Sequence, residues 1–383
     1  MNRSGHTAGV DAVGRRRSSR LARVGVTLVV LFFSGCTSRH ESGDDSVTNR
    51  SGSPSVSATV KATYLGLPVE KARSAHVVAD HSAVGFMAAQ AVPRRLWVGG
   101  TDRLSWIDPD DESVRHVDSK PGVGLFVDGG SLYRAAYAAG DVARYDVSGS
   151  HPREVARVRA PSPLYVSAGP GGVWVTDHDG GRLVRFEPNT LARRGTVQLG
   201  PRSGSSHALS GMARFGDHRL WVMSERDQRL YEIDTESGRA VGRVQLDARP
   251  TDQLVRDGAR LWVMLSRDEN EDRADLELVD AASRRVVTRI VVHDDAPAPE
   301  DPDLVGCPPV VIRGEVWVPV DEYLVHLDAA HGWRPDRVIA LPVPGLVARH
   351  AIVAFGSVWI DGVILNGARP RERIVRVPLD DLD

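Results

Sequence analysis

Residues 171–188 read GGVWVTDHDGGRLVRFEP: a glycine pair, an apolar strand centred on Trp174, a polar turn, then a second strand, Leu183-Val184-Arg185-Phe186, that stops at Pro188. Glycine supplies the positive φ that tight hairpin turns require, and β-branched and aromatic residues favour the strands on either side. The same unit recurs seven times. Its aromatic anchors are Trp97, Tyr133, Trp174, Trp221, Trp262, Trp317 and Trp359, at separations of 36, 41, 47, 41, 55 and 42 residues. A turn precedes each anchor, as in Gly129-Gly130, Gly216-Asp217, Asp257-Gly258 and Phe355-Gly356.

Downstream of most anchors comes a third strand ending in an acidic or proline turn, such as Leu230 to Asp234 or Leu324 to Asp328, and then a fourth, such as Val241 to Leu246. Four strands per unit at this period match β-propeller blades and exceed leucine-rich or ankyrin repeats. The expected fold is therefore all-β: a seven-bladed propeller of four-stranded antiparallel blades over residues 58–383. The seventh unit has its third strand at Ile374 to Val377, and the chain stops at Asp383 without a fourth. An N-terminal strand is expected to close the ring, with Thr59 to Leu65 as the candidate, because closure removes an exposed sheet edge. The anchors occupy one place in every unit, so they are read as packing between blades rather than as a stacking platform.

The pattern resembles the YVTN and streptogramin-lyase-like propellers, whose repeats combine a glycine turn, a Trp-centred second strand and a third strand like Leu183 to Phe186 or Leu230-Tyr231-Glu232-Ile233. The resemblance covers about residues 83–380. It implies architecture more than activity, since propellers host many unrelated functions. In the lyases it implies a histidine and a Glu-x-His pair near a magnesium ion; no Glu-x-His occurs in this stretch, so none of those residues is carried over.

Composition narrows the partners. The 383 residues carry 48 basic and 50 acidic side chains, a formal charge of −2, which lacks the positive footprint of a nucleic-acid binder. The 37 glycines and 23 prolines are spread along the chain, as many short strands and turns demand.

Arg15, Arg16, Arg17, Arg20 and Arg23 precede an uncharged run from Val24 to Phe33, the length of a signal-peptide core and too short to span a bilayer. The run ends in Phe33-Ser34-Gly35-Cys36, which resembles a bacterial lipobox, although Phe33 replaces the usual Leu. Residues 1–35 are thus expected to be a lipoprotein signal peptide and Cys36 the lipidated first residue, held at the extracytoplasmic face of the cell membrane. Residues 36–57 lack large apolar side chains and are expected to be a flexible tether. With Cys36 lipidated, Cys307 is left alone and no disulfide framework forms. The domain is expected to be monomeric.

Loops from second to third strand and from blade to blade converge on one propeller face, the expected binding site. They present Thr101-Asp102, Asp177-His178-Asp179, Glu225-Arg226-Asp227, Asp321-Glu322 and Asp361. These are also ordinary turn residues. Asp177, His178 and Asp179 form the densest cluster, with a histidine between carboxylates suited to base or metal chemistry, yet adjacent strand residues point apart. Asp268 to Asp272 has oxygens at alternate positions like a calcium loop, but Arg273 stands where Gly should turn and Val279 where Glu should close the shell. Residues 293–303 read as a long solvated loop. No cofactor is expected.

The leading reading is a lipid-anchored binding or scaffold propeller of the envelope, engaging a protein or small-molecule ligand. The alternative is a streptogramin-lyase-like or other propeller enzyme acting on an extracellular small molecule. Quinone-dependent dehydrogenases also use propellers, typically of eight blades with an adjacent cysteine pair, neither of which this chain shows.

Overall fold

The computed structural model describes residues 63–81, 86–100, 103–120, 122–199, 209–265, 276–292, 307–364 and 371–383. Cys36, the signal segment, the tether, Thr101-Asp102, the calcium-like run and residues 293–303 lie outside them.

Seven sheets follow one another along the chain; in five of them four antiparallel strands are hydrogen-bonded in sequence order, and the sixth and seventh each add strands from the N-terminal part of the described chain. Blade 3 is representative: Pro163–Ser167, Val173–Asp177, Arg182–Phe186 and Arg193–Gln198 run from the axis outwards. The inner strands of the others are Met87–Gln90, Gly124–Asp128, Leu209–Phe215, Pro250–Asp257, Val310–Ile312 and Leu346–Ala354. Second and third strands are buried on both faces, whereas an outer strand such as Arg153–Arg159 (REVARVR) is largely exposed. Sequence dictates this layering, because continuous apolar runs require cover on two faces and alternating ones only on one.

The core is divided into seven apolar clusters, each shared by two neighbouring blades. Every aromatic anchor is buried, and each packs onto the blade that follows it. Trp221 of blade 4, for example, meets Leu254 and Val263 of blade 5. The ring closes where Trp359 and Ile374 of blade 7 pack with Met87, Leu96 and Ile107 of blade 1.

Closure is by an N-terminal strand, but not the expected one. His76–His81 pairs with Arg371–Pro378 in the register His76↔Arg376 and Val77↔Val375. Glu112 of blade 1 fastens the joint, accepting from Arg376 at 2.8 Å and meeting His76 Nε2 at 3.0 Å. The described part of the 59–65 segment lies elsewhere. Thr63–Tyr64 turns back through Leu65 and Gly66, both at positive φ, onto Leu67–Lys71, which runs parallel to Arg334–Ala340 and extends blade 6 to six strands. Tyr64 anchors it, stacked on Tyr323 at 4.5 Å with its hydroxyl donating to the Val292 carbonyl at 3.3 Å. Both segments are β-competent, and connection length decides between them. Only residues 82–86 separate His81 from the inner strand of blade 1, a short link like those between the other blades.

Candidate functional site

The inner strands meet at the axis and leave between them a partly open cavity of about 120 Å³. Phe86, Phe126, Tyr165, Met212, Gln253 and His350 line it from blades 1, 2, 3, 4, 5 and 7. Gly124 permits the close approach of blades 2 and 3 beside it, since a Cβ there would stand 2.0 Å from the Leu164 carbonyl oxygen. Phe86 packs its ring 4.8 Å from Tyr165 and edge-on to His350 at 5.5 Å.

His350 is the polar centre of this hub. It retains 6% of its surface, and burial pushes its pKa down to about 3, so the ring is neutral at physiological pH. Nδ1 accepts the Met87 backbone N–H at 3.2 Å. An accepting Nδ1 fixes the tautomer, placing the proton on Nε2. That Nε2–H has no hydrogen-bond partner among the described residues. The arrangement therefore offers one fixed donor in a pocket whose wall combines aromatic side chains with a large share of polar surface.

The rim, where second-to-third and blade-to-blade loops emerge together, holds the side chains that sequence singled out. Asp177 is buried, accepting from Arg182 Nε at 2.7 Å and from the Gly180 N–H at 3.1 Å. His178 donates from Nδ1 to the Leu209 carbonyl at 3.0 Å and sets its ring edge-on to Tyr137. Asp179 accepts from the Tyr137 hydroxyl at 3.0 Å and from Ser162 Oγ at 2.5 Å. Burial first, and the Asp179 carboxylate second, push the Tyr137 phenol up to about 12. Three successive residues thus reach toward their own turn, blade 4 and blade 2; His178 and Asp179 share Tyr137 as a neighbour, and Asp177 does not join them.

Arg226 is exposed, and Asp227 accepts from Tyr231 at 3.0 Å and Ser224 at 3.2 Å within its own blade. Glu225 pairs with Arg249 at 2.8 Å. Asp321 sits in its turn at positive φ, and burial, then the Asp321 charge, raise the neighbouring Glu322 carboxyl. Asp361 is buried near Arg349 at 3.5 Å, and Arg349 also reaches Glu372 at 3.3 Å.

Other buried charges escaped the sequence reading. Asp141 takes Arg134 at 2.8 Å and Arg157 at 2.6 Å. Glu277, fully buried, takes Arg289 at 3.1 Å, and burial holds its carboxyl above the usual range. Strand register is the signal that finds such pairs, since Glu277 and Arg289, like Asp177 and Arg182, stand directly opposite on neighbouring strands. Nothing in the sequence marks His350, a lone histidine in the strand LVARHAIVA. Among the described residues no group of three or more His, Cys, Asp or Glu is gathered as a metal site, and no helix is long and apolar enough to cross a membrane.

No family model matches the chain, and no curated protein sequence matches it. Among solved structures it is similar to virginiamycin B lyase from Staphylococcus aureus, with a TM-score of 0.57 at 13% identity over 79% of this chain and 98% of that one. A streptogramin B lyase structure gives a TM-score of 0.58 at 12% identity over 79% and 96%. BamB from Moraxella catarrhalis gives 0.50 at 14% identity over 78% and 99%. At such identity these likenesses establish the shared propeller fold, and activity has to be argued from the site.

Proposed function

We propose that this chain is a lipid-anchored binding module of the bacterial envelope, tethered through Cys36 and taking its ligand at the hub of the propeller. The observation that carries this reading is the hub cavity, where six blades converge and a buried neutral histidine presents an N–H that no described residue engages. A concave pocket on which side chains of several blades and a histidine of perturbed pKa converge is the usual starting point for a binding-site assignment. The rim carboxylates contribute differently, because their ion pairs and turn hydrogen bonds brace the loops of blades 2, 3 and 4. Anchoring follows from the lipobox-like Phe33-Ser34-Gly35-Cys36.

Two measurements test the reading. Cys36→Ser in the full chain releases the protein from membranes; unchanged detergent partitioning contradicts the anchor. The purified protein, incubated with low-mass extract from the cell surface and ultrafiltered, retains a compound in stoichiometric amount. A product that accumulates with time points instead to the propeller-enzyme alternative.

A further inference from the structure

We infer that His76 is a proton-dependent clasp on the seam of the ring: as an imidazolium it ties the N-terminal closing strand to blade 1, and on losing its proton it loosens that strand from blade 7.

Geometry decides the protonation state. His76 opens the strand His76–His81, which gives blade 7 its outermost member. Its Nδ1 lies 3.0 Å from the Ser74 carbonyl oxygen, and its Nε2 lies 3.0 and 3.1 Å from the two carboxylate oxygens of Glu112. All three partners are acceptors, and only the imidazolium carries an N–H on both ring nitrogens. A neutral ring satisfies one side alone; whichever tautomer it takes, it turns a lone pair toward an oxygen on the other.

Neither acceptor is free to swing away. Ser74 is pinned by Asp381 of the C-terminal turn, its N–H donating to Oδ2 at 2.7 Å and its hydroxyl to Oδ1 at 2.9 Å. Glu112 is held by Arg376 at 2.8 Å and by its own N–H, which donates to the Asp108 carbonyl at 2.9 Å. One relay thus runs from the C-terminal turn through the closing strand to blade 1 and back to blade 7.

The surrounding charges agree. The hydrogen bond to the Ser74 carbonyl first, and that to Glu112 second, raise His76 above the ordinary histidine value, against partial burial and the charge of Arg376 on blade 7. Burial works to raise the Glu112 carboxyl, but its hydrogen bonds from Arg376 and His76 outweigh it and hold the group below the usual range. In the blade 1 turn, Asp110 is taken by Arg94 and Asp111 accepts the Ser113 N–H; on the C-terminal turn, Asp383 is taken by Arg313. Asp80 and His81 stand at the far end of the closing strand, in register with Arg373 and Glu372. Because His76 is half-exposed, its proton exchanges directly with solvent. Its folded value lies above the unfolded 6.5, so the clasp contributes in full below that pH and is lost as pH rises through the folded value. Loosening the strand bares the Arg371–Pro378 edge.

The test is hydrogen exchange of the full-length protein between about pH 6 and pH 9, corrected for the intrinsic rate, at residues 76–81 with residues 173–177 of blade 3 as internal reference. Protection of the closing strand is expected to fall over this range by about threefold to tenfold relative to the reference, the worth of one hydrogen bond. His76→Gln, uncharged at every pH, is expected to stay level, near the value that the wild type reaches at high pH. Glu112→Gln probes the same joint with the ring in place: its amide keeps an acceptor for Arg376 and can turn an N–H toward the neutral imidazole, so the joint persists and its pH dependence disappears. His331, raised in the same direction by its hydrogen bond to Asp328, is present in every variant and cancels in the comparison. A level wild-type profile, or a fall of the same size in the variants, overturns the clasp. If His76→Gln does not fold, the comparison with Glu112→Gln decides alone.

Discussion

At the rim, Asp177, Asp179 and Asp227 each face donors from an arginine, a phenol or a hydroxyl, whereas at the hub His350 faces a cavity with its Nε2–H unmet by any described residue. Charge is plentiful where it is already paired and scarce where a hydrogen bond remains open. Counting carboxylates along a sequence finds the first region, because turns between strands select Asp, Asn and Gly. It passes over the second, because what distinguishes His350 is the loss of water around it.

The largest effect expected bears on the scaffold that keeps the two regions apart. A chain lacking residues up to 62 should keep a cooperative thermal transition, while one lacking residues up to 81 loses the strand that pairs with Arg371–Pro378 and should aggregate or melt without cooperativity. Next comes the packing between blades: Trp221→Ala should cost roughly 3–5 kcal/mol by denaturant unfolding, and a loss under about 1 kcal/mol would mean that the anchor does not bear on blade 5.

A third effect separates hub from rim by pH. The native His350 titrates near 3 and the unfolded one near 6.5, so below pH 6.5 the unfolded chain takes up a proton that the native one does not. Stability should therefore fall as pH drops through this window, by up to about 1.4 kcal/mol per unit from this group. His350→Gln should show a slope shallower by that amount between pH 6 and 4; parallel slopes would mean that the ring is hydrated in the native hub. The smallest effect is at the rim, where Tyr137→Phe removes one hydrogen bond to Asp179 and should lower stability by about 0.5–1.5 kcal/mol without altering ligand retention.

The blade count, the four-stranded units and the buried anchors were legible because each is written locally, in turn glycines and apolar runs that recur with one period. Closure was legible as a need and not as a place. The 59–65 segment and His76–His81 have similar β propensity, and the choice between them depends on Tyr64 finding Tyr323 and on a short link to blade 1. The three-way divergence of Asp177, His178 and Asp179 followed in part from strand alternation. The partners of His178 and Asp179, namely Leu209 in blade 4, Tyr137 in blade 2 and Ser162 on the link between blades 2 and 3, appear only once the ring is assembled. The hub is further still from local sequence, since six blades each contribute a side chain to it.

The central claim is that ligand is met at the hub. Its most direct test is the affinity of the compound retained from surface extract for the wild-type protein, for Phe126→Trp, which fills the cavity, and for Asp179→Asn, which alters the rim alone. The account predicts a loss of at least about tenfold for Phe126→Trp and a change within about twofold for Asp179→Asn. Affinity preserved in Phe126→Trp and lost in Asp179→Asn would place the ligand on the loops and contradict it.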